Sequence, residues 1–283
     1  MFLPQPNRTS DLVRVELHTH STASDGEFDP EHLASQMQAH DVRLWSLTDH
    51  DTCDGCAQAE EHARDLGVEF VPGIEMTAQE SRSIHVLGYG VDAQDPTLNA
   101  FLAHRRQARL ARMQTMIARA RRAGYGVDLE QVLEIAAGAN LTRPHLARAL
   151  VDAGAASSIP DAFDRLLSED GPVHAPHDPM PVAQCARVMR DAGGVIVLAH
   201  PGRYGLDDQL ERWTHEAQLD GVEVGHPKHS DAQQDLYTAH CRAHGLLATT
   251  SSDFHGPTVR PERTLGRVRA PQAWVEAFVA RMR

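Results

Sequence analysis

Short apolar, β-branched runs alternate with helical patterns along most of this chain, and that alternation restricts it to βα units wound into a largely parallel sheet. The expected strands are residues 13–18, 43–47, 68–74, 84–89, 194–199, 221–224 and 246–251. Helical patterns fall between them at 30–40, 55–66, 183–192, 207–218 and 231–244. The first of these carries a clear start signal, Asp29 as N-cap followed by Pro30. Between about Pro96 and Pro181 the alternation stops. Only helical patterns occur there, at 98–123, 128–136, 143–153 and 160–167. Seven strands interrupted once in this way predict a barrel-like α/β body, residues 1–95 and 182–283, under a helical insertion, residues 96–181.

Composition narrows the function classes. A formal charge of −12 argues against a surface that tracks a long duplex nucleic acid, because such binding relies on Lys and Arg displacing counterions. Lysine occurs once, at Lys228, while Arg recurs at Arg105, Arg106, Arg109, Arg112, Arg119, Arg121 and Arg122. Spacing of three or four residues is what a solvated helix face looks like, and that is the expectation for this stripe. No signal-like leader and no bilayer-length apolar run is present, so a cytoplasmic location without membrane contact is expected. Four cysteines make a poor disulfide framework in a chain of this length. Cys53 and Cys56 match C-x-x-C but lack a second ligand pair, and they read as small residues opening a helix.

Histidine, at 18 residues, is the unusual component. His18 and His20 end the first strand as His-Thr-His, and strand alternation turns them to one side; Asp25 follows. His50 follows the second strand, Glu75 ends the third, His85 opens the fourth and His200 ends the fifth. Asp253 and His255 close the seventh. A lone histidine at a strand end is usually a hydrogen-bonded structural residue. Nine acids and imidazoles at matching topological positions are not independent accidents. Strand ends in a parallel barrel share one rim, where active sites are built. Imidazoles mixed with carboxylates suit Zn²⁺, Mn²⁺ or Fe²⁺, and Glu75, central in the set, is the expected bridging ligand.

These motifs resemble the PHP (polymerase and histidinol phosphatase) domain: His18-Thr-His20, Ser24-Asp25-Gly26, Thr48-Asp49-His50-Asp51, Gly73-Ile74-Glu75, His85, Ala199-His200-Pro201 and Ser252-Asp253-Phe254-His255. The insertion, with Asn140-Leu-Thr142-Arg143-Pro144-His145, resembles the bacterial 3′,5′-nucleoside bisphosphate phosphatases, a subgroup that includes 5′→3′ exoribonucleases. The resemblance implies a distorted seven-stranded β/α barrel and a trinuclear site, usually of Mn²⁺ with Fe or Zn as alternatives. By motif position, His18, His20, Glu75 and Asp253 would hold one ion, Glu75, His85 and His200 a second, and Asp25, His50 and His255 a third.

Such ions lower the pKa of a shared water and neutralise phosphoryl oxygens, so direct attack by metal-bound water is expected, without a protein nucleophile. Outside the metal shell, Thr142, Arg143 and His145 open a helix, where free N–H groups and a guanidinium fork suit a phosphate. His226, Lys228 and His229 follow the sixth strand, and Ser21 lies beside the first ligand pair; all are further candidate substrate contacts. The expected substrate is a small nucleoside 3′,5′-bisphosphate such as adenosine 3′,5′-bisphosphate, losing its 3′-phosphate to leave AMP. Removal of 5′ mononucleotides from short RNA, histidinol-phosphate hydrolysis, deacetylase or amidohydrolase chemistry, and a metal-stabilised binding module stand as alternatives.

Overall fold

The computed structural model describes residues 12–283, so residues 1–11 of the expected barrel segment lie outside it. Among the described residues eight strands are present: β1 (Leu12–Glu16), β2 (Leu44–Leu47), β3 (Glu69–Gln79), β4 (Ser83–Tyr89), β5 (Val195–Leu198), β6 (Gly221–Gly225), β7 (Leu247–Thr250) and β8 (Arg269–Pro271). They form one sheet in the order β7-β6-β5-β4-β3-β2-β1-β8. Past the end of β7 the sheet curls back on itself. Ser251 Oγ donates to His18 O at 2.8 Å, and His20 N–H donates to Phe254 O at 2.9 Å. The result is a nearly closed barrel.

All seven expected strands are found, but their directions are less uniform than a βα repeat predicts. The β1–β2–β3 and β5–β6–β7 pairings are parallel, whereas β4 runs antiparallel to both β3 and β5. Strand β3 also continues beyond Ile74, because Met76–Gln79 pair with Ser83–Val86 in a hairpin. Glu75 therefore lies inside a strand and not at its end. Antiparallel β4 also explains His85: its first residues lie on the rim that the other strands reach with their last. The eighth strand, β8, was not expected and pairs antiparallel with β1.

Helices α1 (Pro30–Ala39), α2 (Cys56–Leu66), α7 (Val182–Asp191), α8 (Leu210–Glu216) and α9 (Asp231–His244) cover the barrel, and α10 (Gln272–Arg281) closes the end opposite His85. There Phe278 meets Tyr89 edge-on at 5.0 Å between ring centres. Asp29 caps α1 by accepting from His32 N–H at 2.7 Å. Cys56 begins α2, and all four cysteines are free thiols.

Residues between β4 and α7 form α3 (Pro96–Arg122), α4 (Leu129–Ala136), α5 (Arg143–Asp152) and α6 (Ile159–Ala162), the last running into a π-helical turn at Phe163–Leu167. Among the described residues this stretch holds no strand beyond a single bridge, Gln79 with Met180. It has an apolar core of its own, including Met116, Leu146, Leu150 and Leu167, joined by Val259 from the segment after β7. The arginine stripe departs from expectation. Arg105, Arg109 and Arg112 are only 1%, 4% and 9% exposed, because α3 lies across the barrel rim and turns them inward. Arg106, Arg121 and Arg122 do face solvent.

Candidate metal centre

The nine expected ligands converge at one end of the barrel, and Glu75 stands at their centre. Its Oε1 lies 2.7 Å from His85 Nδ1, 3.0 Å from His200 Nε2 and 3.2 Å from His18 Nε2. Its Oε2 lies 2.9 Å from His50 Nδ1 and 3.3 Å from His20 Nε2. Donor atoms cluster in four overlapping groups: His20, Asp25, His50 and His255; His18, His200 and Asp253; His18, His20 and Glu75; His50, Glu75 and His85. The first group reunites the expected Asp25–His50–His255 set and adds His20. His200 groups with His18 and Asp253 as well as reaching Glu75, so the boundaries between sets are less sharp than motif position implies.

Several of these atoms are buried without a hydrogen-bond partner among the described residues: His18 Nε2, both ring nitrogens of His20, His50 Nδ1, Glu75 Oε2 and Asp253 Oδ1. Orphaned buried polar atoms are costly unless something completes them. Here they face one another across distances too misaligned for hydrogen bonds. Lone pairs converging in this way fit divalent cations.

Supporting residues fix the ring orientations. His18 donates from Nδ1 to Glu223 Oε1 at 3.2 Å, which leaves its Nε2 lone pair toward Glu75 and Asp253. Glu223, fully buried on β6, also accepts from His200 N–H at 2.8 Å. Tyr204 Oη accepts from His85 N–H at 2.8 Å and lies 3.0 Å from His200 Nδ1, which aims His200 Nε2 at Glu75. Asp49 accepts from Ser21 N–H at 2.8 Å and Ser21 Oγ at 2.6 Å, bracing the loop that carries Asp25. Glu16 accepts from Ser252 N–H at 3.0 Å and Gly266 N–H at 3.0 Å, bracing the loop that carries Asp253. Asn140, between α4 and α5, donates to His50 O at 2.7 Å.

Backbone strain gathers at the same place. Asp51, His200 and Asp253 have φ of 48°, 28° and 53°, a region non-glycine residues avoid. In each case the unusual turn directs a side chain beside or into the cluster. Gly26 is required by close approach: a Cβ there would sit 2.1 Å from His20 O.

The electrostatics match a cation site. Burial opposes charge on His18 and His50, yet surrounding carboxylates, Glu75 foremost, raise both above the usual histidine range. Burial also works against the Glu75 carboxylate, but His85, His18 and His50 hold its pKa well below normal. Burial lowers His85, His200 and His255, keeping them neutral as ligation requires. A field that favours protons on His18 and His50 favours metal cations equally.

Above this cluster opens a cavity with two chemically different walls. Asp25, His50, Glu75, His85, Asp253 and His255 form one; Arg109, Arg112, Arg143, Arg203, Arg260 and Arg263 form most of the other. Some of these guanidinium groups have structural duties. Arg109 donates from Nε to Asp51 Oδ2 at 2.7 Å, Arg112 from Nε to Ala175 O at 2.7 Å, and Arg263 from Nη1 to Asp253 O at 2.6 Å. Arg143, which donates from Nη1 to Leu167 O at 3.2 Å, and Arg260 lie over the ring of Phe163, at 5.4 Å and 4.6 Å from its centre. Among the described residues Arg260 Nε has no hydrogen-bond partner.

The expected substrate contacts divide. Thr142 and Arg143 line the cavity. His145 lies behind them, its Nδ1 accepting from Thr142 N–H at 3.2 Å, and lines a neighbouring pocket with Asp25 and Arg148. Ser21 does not fit its expected role, because its hydroxyl proton is committed to Asp49. His226 accepts from Lys228 N–H at Nδ1 and so donates from Nε2 to Asp253 Oδ2 at 3.3 Å, standing behind a candidate ligand. His229 is likewise occupied, by Val224 O at 2.8 Å and Gly202 N–H at 3.2 Å. Lys228 pairs with Glu262 at 3.5 Å and does not line the cavity. Sequence reasoning missed Glu16, Glu223, Tyr204, His177, Arg203, Arg260 and Arg263. For the two glutamates a signal existed: each is a single acid flanked by apolar residues, Val-Glu-Leu and Val-Glu-Val.

A His–carboxylate cluster on one rim of an α/β barrel defines a class, the barrel hydrolases that work through bound metal. The chain belongs to the PHP domain family, whose pattern matches residues 16–274. It is 35% identical over 278 residues to the 5′-3′ exoribonuclease Rnm of Escherichia coli, covering 96% of this chain and 93% of that protein. It is 32% identical over 252 residues to the 3′,5′-nucleoside bisphosphate phosphatase of Chromobacterium violaceum, covering 87% and 88%. A solved structure described as a candidate metal-dependent phosphoesterase, from Bifidobacterium adolescentis, superposes with a TM-score of 0.88 at 28% identity, covering 98% of each chain. Family, relatives and candidate metal clusters together support a metal-dependent phosphoric ester hydrolase. No helix among the described residues is long and apolar enough to cross a membrane.

Proposed function

We propose that this chain hydrolyses the 3′-phosphate of small nucleoside 3′,5′-bisphosphates, with water as nucleophile. The observation that carries this reading is the two-walled cavity. A single phosphoryl group over the carboxylate–histidine wall leaves Arg143 and Arg260 facing the same space, and a second phosphate is the ligand their paired charges suit.

His18, His20, Asp25, His50, Glu75, His85, His200, Asp253 and His255 are the residues proposed to hold two or three divalent ions, Mn²⁺ foremost with Fe²⁺ or Zn²⁺ as alternatives. When bound, such ions supply Lewis acidity, activating water and neutralising phosphoryl oxygens. Glu223 and Tyr204 keep the His18 and His200 rings turned toward Glu75. Arg143 and Arg260 grip the non-reacting phosphate, which fixes the nucleotide for in-line attack and makes remote binding energy available to the reaction. Thr142 starts the helix that carries Arg143. Helices 96–181 act as a cap that brings Arg143 and Phe163 over the barrel.

A 5′→3′ exoribonuclease reading draws support from a second observation. The cavity opens sideways into a compartment lined by Arg82, Ser83, Phe163, Glu169, Arg203 and Tyr204, which offers a short RNA somewhere to continue. The same anchor would hold a 5′-phosphate while the next linkage lies over the metals.

Phosphate release from adenosine 3′,5′-bisphosphate by Mn²⁺-loaded protein, beside 3′-AMP, 5′-AMP and histidinol phosphate, together with mononucleotide release from a 5′-phosphorylated trinucleotide, tests both. Rapid turnover of the bisphosphate to 5′-AMP is expected. Preference for a monophosphate lacking a second anion would overturn the anchor.

A further inference from the structure

On the barrel's outer face, far from Glu75 in role and surroundings, α8 and α9 bring together four groups with metal-ligand chemistry. His240 and His244 stand one turn apart on α9, a spacing that places two imidazoles on one helix face. Glu211 reaches across from α8. Its Oε2 lies 3.0 Å from His244 Nε2 and 3.8 Å from His240 Nδ1. Atoms bound at 2.0–2.2 Å to a tetrahedral Zn²⁺ stand roughly 3.3–3.6 Å apart, and the two distances bracket that range.

The surrounding hydrogen bonds select the tautomer that ligation needs. Thr214 Oγ1 gives its proton to Leu210 O at 2.9 Å and lies 2.8 Å from His240 Nε2. With its hydrogen used, Thr214 accepts from His240 Nε2–H, and the His240 lone pair is left on Nδ1, facing the Glu211 carboxylate. A lone pair opposite an anion is repulsive unless a cation sits between them. His215 completes the arrangement by reaching Glu211 Oε1 at 2.9 Å, leaving Oε2 for the two imidazoles. Two of the three inner groups, His240 and Glu211, thus have an outer partner of the kind that orients ligands in metal sites. Glu211 is exposed on one side, which gives an ion access from solvent.

We propose that His240 Nδ1, His244 Nε2 and Glu211 Oε2 bind a divalent transition-metal ion of the Zn²⁺ class, with solvent in the fourth position. The ion staples α8 to α9. Both helices trail segments that carry centre residues: α8 follows Arg203 and Tyr204, and α9 follows His226. Its ligands are separate from those of the barrel centre, so the site does not depend on the proposed substrate.

The test compares Zn²⁺ stoichiometry of the full chain with that of a His240→Ala/His244→Ala variant, after dialysis at micromolar free Zn²⁺. The wild type is expected to retain one more equivalent, with Mn²⁺-dependent phosphoester hydrolysis the same in both. His215→Ala should weaken that equivalent by about 10- to 100-fold without abolishing it. Equal stoichiometry in the two proteins, or a difference seen only at millimolar Zn²⁺, would overturn the site. Loss of hydrolysis in the double variant would also count against it, by showing that these histidines serve the barrel centre.

Discussion

Arg109 Nη2 lies 2.6 Å from Asp51 Oδ2, one residue beyond His50, so α3 is fastened to a loop of the candidate metal centre. Arg105 reaches the same oxygen at 3.3 Å. Burial works against the Asp51 carboxylate, but Arg109 and Arg105 hold its pKa below normal. Arg109→Met should destabilise the fold by about 3 kcal/mol, the lower end for breaking a buried pair, because Arg105 remains. Urea unfolding measures this, and Arg109→Met/Asp51→Asn should recover part of the loss. A cost below about 1 kcal/mol would mean that the pair does not tie α3 to the barrel.

Glu223 touches His18 and the His200 backbone but not the cavity. Glu223→Gln should weaken metal binding by about 10- to 100-fold, as loss of an orienting partner does. Competition against a chelating dye reads this directly. Asp253→Ala, by contrast, should remove nearly all hydrolysis. Unchanged metal affinity in Glu223→Gln would show that His18 needs no such support.

Arg143→Ala and Arg260→Ala should leave bound metal and p-nitrophenyl phosphate hydrolysis intact while lowering kcat/KM on adenosine 3′,5′-bisphosphate. A lost charge-assisted contact of about 1.5–3 kcal/mol corresponds to a decrease of roughly 10- to 150-fold. Equal losses on both substrates would remove the anchor role from these residues.

Two histidines beside the arginine wall predict a pH dependence of stability. Burial and the neighbouring Arg112, Arg109, Arg105 and Arg143 hold His177 well below the usual range. Burial and Arg112 bring His174 down to about 4. Unfolding frees both to protonate, so their penalty is absent above about pH 6.5 and grows as pH falls toward the folded values. Tm should therefore be lower at pH 5 than at pH 7.5, and His177→Gln should flatten that slope. An unaltered slope in His177→Gln would exclude the contribution.

Much of the centre was legible from local pattern. Strand ends announced His18, His20, His50, His200, Asp253 and His255, because a period-two apolar run followed by an acid or imidazole needs no knowledge of the rest of the chain. Asp29 and Pro30 likewise marked a helix start by short-range chemistry alone. What the sequence left open depends on partners far apart along it. Glu223 orients His18 from 205 residues away. Arg105, Arg109 and Arg112 have the spacing of a solvated face, and only the docking of α3 over Asp51, Thr77 and Ala175 decides that they are buried. The reversal of β4 is similar: apolar alternation is the same read in either direction, so strand direction, and with it the placing of His85 beside Glu75, was settled by the hairpin and its pairing. Sequence by itself determined which residues have ligand chemistry and at which turns of the chain they stand. Tertiary structure decided which of them meet, because burial and charge pairing belong to surfaces that exist only once the barrel has closed and α3 has packed across its rim.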